Sequence, residues 1–70
     1  MSRAFTAVIK HEGKWWIGWV QEIPGVNSQG RTRKELVDNL TSALREALEF
    51  NRQDAIRAAQ NNFEEESILV

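Results

Sequence analysis

Three groups of residues in this 70-residue sequence have side chains and spacing suited to recognition or chemistry. Arg31, Arg33 and Lys34 crowd the stretch after Gly30, where they would flank a helix start; exposed amides and three cations there can receive a phosphate or a carboxylate. Cations at a helix N-terminus oppose its dipole, which mildly favours a use for them. The plainer reading is a solvated, capped helix start, because three cations alone are a weak sign of nucleic-acid binding. Glu64, Glu65 and Glu66 form the opposite cluster, either a solvated charge run or a surface complementary to a basic partner. Trp15, Trp16 and Trp19 share one short run, and are either core and cross-strand packing or a platform on which bases or a partner stack.

The same inspection finds no catalytic constellation. A metal-dependent nuclease needs several carboxylates converging on divalent cations, whereas Glu12, Glu22 and Asp38 fall in separate segments and the first apolar run contains none. His11, the only histidine, reads as a solvated turn residue with no nucleophile or orienting group around it. Ser28 lacks the flanking glycine of a nucleophile elbow, so hydrogen bonding in a turn is its expected task. The expectation is a non-enzymatic chain with no catalytic residues, no metal ligands and no cofactor.

Composition narrows the class. With 41% hydrophobic and 27% charged residues the chain reads as one ordinary globular domain over residues 1–70. A domain this small buries only ~60% of its unfolded surface, and without cysteine it has neither disulfides nor a thiolate metal site to compensate. Good packing or oligomerisation is left, and a homo-oligomer, dimer or tetramer, is expected. No apolar run approaches a membrane span and no basic-then-apolar leader is visible, so a cytoplasmic location is the expectation. The net charge of −1 hides an asymmetry: residues 1–34 hold six Lys or Arg and two acids, residues 35–70 three and eight.

The elements that position these groups follow from periodicity. Arg3 to Lys10 alternates Phe5, Ala7 and Ile9 with Ala4, Thr6 and Val8 and predicts a strand; His11 to Lys14 predicts a hairpin turn. Trp15 to Val20 predicts a second strand with Trp15, Ile17 and Trp19 on one face and Trp16, Gly18 and Val20 on the other. Both faces are apolar, so a second subunit is a candidate to cover one of them. Pro24 and Gly25 turn the chain, Val26 to Gln29 predicts a short third strand, and Gly30 closes it. Thr32 and Glu35 have the spacing of a capping box ahead of a helical stripe from Leu36 to Leu48, ending near Phe50. Asn51 to Asn62 predicts a short second helix or an irregular turn, and Ile68, Leu69 and Val70 predict a docked last strand.

This order of features, with the string from Pro24 to Gly30, resembles the HicB antitoxin family. The matching residues are Pro24, Gly25, Ser28, Gln29, Gly30, Thr32, Glu35, Asn39, Leu40, Ala43 and Glu46, within a resemblance that covers about residues 4–50. The resemblance implies an α+β, partial RNase-H-like fold: a three-stranded antiparallel sheet, one main amphipathic helix, and a C-terminal strand beside the first. It implies a protein that sequesters a HicA-like, mRNA-degrading toxin by protein–protein contact. Trp15, Trp16, Trp19, Arg31, Arg33, Lys34, Glu64, Glu65 and Glu66 are the candidate partner-binding residues. The alternatives from the residues themselves are a nucleic-acid-binding regulator and an orphan, self-assembling HicB-like domain. Two departures stand out. Val26 occupies a position where the family often has cysteine, and residues 51–70 are too few for the DNA-binding segment of full-length family members. Specific operator binding is therefore not expected.

Overall fold

The structure is a computed structural model that describes residues 4–69. Its element order is β1 (Ala7–Glu12), β2 (Trp15–Val20), β3 (Asn27–Gly30) and α1 (Arg33–Ala59). The three strands form one antiparallel sheet in the order β1-β2-β3. The fold is thus α+β, with a three-stranded antiparallel sheet and one helix.

The hairpin is tighter than expected. His11 and Glu12 belong to β1, and the loop is only Gly13 and Lys14, because Glu12 pairs directly with Trp15. Gly13, at φ +59°, supplies the positive φ that a two-residue turn with glycine first demands, and that conformation matches the twist of the flanking strands. The start of β1 lies later than expected: Ala4 to Thr6 precede the strand, while Arg3 lies outside the described residues.

The helix begins as its sequence predicts. The Thr32 hydroxyl accepts the Glu35 amide at 3.1 Å, which satisfies one of the unpaired donors of the first turn. Leu36 and Leu40 then point into the sheet, Leu36 completely buried and Leu40 packed with Val20 and Val26. Phe5, Ile23, Ala43, Leu44 and Ala47 complete this small core. The Asn39 side-chain amide donates to the Gln29 carbonyl at 3.0 Å, tying the helix to β3.

Two expectations about the second half are corrected. The break anticipated at Asn51 does not occur, and one continuous helix runs through residues 51–59. A single asparagine costs about 0.7 kcal/mol in a helix, and the good helix formers Arg52, Gln53, Ala55, Arg57, Ala58 and Ala59 outweigh it. Local pairs add support: Arg52 with Glu49 at 3.9 Å, Arg57 with Asp54 at 3.0 Å, and the Gln53 amide donating to Glu49 at 3.2 Å. The helix stops at Gln60, whose φ of +64° turns its amide onto the Ile56 and Arg57 carbonyls.

The last strand is the second correction. Among the described residues nothing beyond Gln60 forms a strand, and Ile68 and Leu69 are 78% and 69% exposed; Val70 lies outside the described residues. From Leu48 to Ala59 the long helix travels about 17 Å beyond its packed half, so about five extended residues would be spent, without core contacts of their own, in retracing that distance to β1. The molecule is accordingly drawn out to 51 × 23 × 15 Å. Its radius of gyration of 15.1 Å exceeds the roughly 11 Å of a compact chain of this length.

Candidate interaction surfaces

Antiparallel pairing puts directly opposed residues on the same face of the sheet. Gly18 and Val20 are buried under α1, so their face, which Trp16 shares, is the covered one. The opposite face is open. It carries Glu12 beside Trp15, Lys10 beside Ile17 and Gln29, and Val8 beside Trp19 and Asn27. Trp15 and Trp19 remain 40% and 42% exposed there. The expected two-faced β2 is present, and α1 decides which tryptophans stay accessible.

Trp16 has a different environment from its two neighbours. Its ring stacks on His11, with centroids 4.3 Å apart and planes 3° from parallel; His11 is exposed, as expected, but sits in β1 opposite Trp16 and not in a turn. The signal in the sequence was the short Gly13-Lys14 spacer, which forces His11 into register with Trp16.

The cations of the helix entry separate into unlike environments. Arg31 leaves the helix start and places its guanidinium 5.5 Å from the centre of the Trp15 ring, close enough for a cation–π contact. Lys14, Trp15 and Arg31 together line a pocket of about 180 Å³ at the hairpin end of the sheet. Lys34 turns instead to Asp38, one helical turn on, at 2.7 Å; that hydrogen bond and the carboxylate's charge hold the ammonium above the usual lysine range. Arg33 is exposed in the first turn of α1. Lys10, which the sequence did not single out, sits in the middle row of the open face and reaches Glu12 at 3.4 Å.

Glu64, Glu65 and Glu66 lie in the exposed segment after the helix, within the arm that begins where α1 leaves the sheet. Phe50, Phe63, Ile68 and Leu69 are all exposed along that arm, so large apolar side chains flank the three carboxylates. Of the candidate residues, Trp15, Trp19 and Arg31 gather on the open sheet face and its edge, Glu64, Glu65 and Glu66 lie on the acidic, apolar arm, and Trp16, Arg33 and Lys34 belong to neither surface.

Other features bear on chemistry. Among the described residues no three His, Asp or Glu side chains come together as a metal-ligand group, and no helix is long and apolar enough to cross a membrane. An apolar groove of about 180 Å³ runs between β1 and α1, lined by Phe5, Ala7, Val20, Val37, Leu40, Thr41 and Leu44. No protein family, no curated protein and no solved structure was found to match the chain.

Proposed function

We propose that this chain is a partner-binding module of the HicB-like antitoxin type, built on a partial RNase-H-like fold without the last strand, which sequesters a HicA-like ribonuclease toxin by protein–protein contact. The observation that carries the reading is the arm. Phe50 at 61% exposure, Phe63, Ile68 and Leu69 are left outside the chain's own core in a segment that also carries Glu64, Glu65 and Glu66. A domain with so little core gains nothing by holding four large apolar side chains in water, whereas a partner surface desolvates them. A protein that cleaves RNA presents cations to its substrate, and an acidic arm complements such a surface. The charges speed encounter and orient it, while the apolar side chains supply affinity.

Support from the sequence is the run from Pro24 to Glu46, whose residues build the β3–α1 junction through Gly30, the Thr32 cap and the Asn39 to Gln29 bond. Co-expression with a toxin-sized reading frame encoded beside the gene is the test. Growth should recover and a complex should survive gel filtration. Replacing Glu64, Glu65 and Glu66 by Gln should slow association and flatten its salt dependence without unfolding the domain. A toxin that stays fully lethal, with no complex on the column, overturns the reading.

A further inference from the structure

The open face of the sheet has a chemistry that the acidic arm does not share. Trp15 and Trp19 stand on it four residues apart along β2, about 13 Å at the rise of a strand, with Ile17 between them. The cations Lys10, Lys14 and Arg31 border this face, and its one carboxylate, Glu12, is occupied by Lys10. Asn27 and Gln29 on β3 add amide groups that both donate and accept hydrogen bonds. We infer that this face binds single-stranded nucleic acid, with one base stacking at Trp15 and another at Trp19, and with backbone phosphates on Lys14 and Arg31.

The arrangement favours this occupant over a protein. Lysine is depleted in protein interfaces, whereas here Lys10 stands beside Ile17, between the rows of the two exposed tryptophans, and Lys14 lines the pocket at Trp15. A strip of single-stranded nucleic acid wants aromatic planes separated along a sheet and cations tracking its backbone, as in sheet-based RNA-binding modules that stack two or three bases. The Lys14, Trp15 and Arg31 pocket places an aromatic plane and two positive charges together, which suits a base and its attached phosphate. The described residues up to Lys34, which include the whole sheet, carry five cations against two acids, so charge steers the polyanion to this end of the molecule and away from the arm. Base stacking is tolerant of sequence, so the face would accept RNA or DNA without strong preference for composition. This inference is independent of the toxin-binding proposal, because it uses none of the arm.

The full chain is titrated against labelled oligouridine, oligothymidine and a duplex of equal length, reading oligonucleotide anisotropy together with tryptophan fluorescence. Micromolar binding of both single strands, quenched tryptophan emission and clearly weaker duplex binding are expected. The logarithm of affinity should fall with that of salt at a slope of about −1.4, the value for two phosphate contacts on a single strand. Trp15→Ala and Trp19→Ala should each weaken binding roughly fivefold or more, as loss of a stacked base does. Arg31→Ala should weaken it and reduce the slope by about 0.7, a readout independent of the tryptophan substitutions. Substituting Gln for Glu64, Glu65 and Glu66 should not weaken it. Absence of binding up to about 100 µM at low salt overturns the inference, since even non-specific contacts are detectable there. So does undiminished binding by the Trp15→Ala, Trp19→Ala double variant. A self-associated chain whose copies cover both tryptophans also overturns it.

Discussion

Gly30 lies directly beneath the first turn of α1, so close to Leu36 that a Cβ on the glycine would stand 2.6 Å from the Leu36 amide nitrogen. The chain leaves β3 and enters the helix across this contact, and a side chain there would push α1 off the sheet at the point where the fully buried Leu36 anchors it. Gly30→Ala is therefore expected to cost about 1–3 kcal/mol, the range for forcing extra volume into a packed core. Gly13→Ala, at φ +59° but with open space around it, should cost only about 1 kcal/mol through backbone strain. Urea denaturation of the two variants compares them directly. A Gly30→Ala protein as stable as the parent would show that α1 does not sit where this contact places it.

Leu36→Ala tests the core from the other side of the same contact. Truncating a fully buried leucine costs about 2–5 kcal/mol, and the remaining buried apolar side chains are only Val20, Val26 and Leu40 among the described residues. A domain this small has little stability beyond that loss. The variant should lose cooperative thermal unfolding and near-ultraviolet circular dichroism, and a sharp, unshifted transition would contradict the assignment of Leu36 as the anchor.

The sequence made some of this architecture readable because local rules and tertiary packing agree there. The strand composition of β2, the Pro24-Gly25 turn, the Thr32 cap and the Leu36–Leu40 stripe each have one physical solution, and all appear. The face of β2 left open was not readable, since Trp15, Ile17 and Trp19 are as apolar as Trp16, Gly18 and Val20 and only the placement of α1 breaks the tie. At Asn51 a punctuation signal lost to the summed propensity and side-chain pairs around it. At Ile68 and Leu69 apolar composition alone suggested docking, but composition carries no information about how far the preceding helix takes the chain. The candidate residues were named from sequence; which of them gather on the open face, and where Lys10, Lys14 and His11 stand beside the tryptophans, needed the strand register.

Glu22 gives the domain an acid-sensitive closure. Its carboxylate accepts the Thr6 amide at 2.8 Å, next to the Gln21 to Thr6 backbone bond that continues the β1–β2 ladder, and hydrogen bonding from the Thr6 amide first, then from its hydroxyl, holds the Glu22 pKa below the ordinary glutamate value. With the folded value depressed, the unfolded chain takes up the proton first as pH falls. The contribution is complete above the ordinary carboxylate range and is lost as pH drops through the folded value. Thermal melts between neutral pH and the acid range should show the parent losing stability more steeply than Glu22→Gln, whose amide oxygen accepts the same bond without titrating. Superimposable acid limbs would refute the contribution.

Removing the segment after Gln60 separates two physical pictures of the arm. In the structure that segment is exposed throughout its described part and contributes nothing to the Val20, Val26 and Leu40 core, so its loss should leave unfolding of the sheet and the packed half of α1 intact. Were Ile68 and Leu69 instead docked as a fourth strand along β1, deletion would expose two large aliphatic side chains, each contributing about 1.5–3 kcal/mol when fully buried. In a domain of this size about 1 kcal/mol already moves the melting temperature by roughly 4–8 °C, so the two cases are far apart. The truncated chain is expected to melt within a few tenths of a kcal/mol of the parent while losing the binding proposed for Glu64, Glu65 and Glu66. Hydrogen exchange gives a second reading on the intact chain: amides from Glu64 to Leu69 should exchange at rates close to those of an unfolded peptide. Protection of those amides, together with a melting temperature that falls sharply on truncation, would establish the docked strand in place of the free arm.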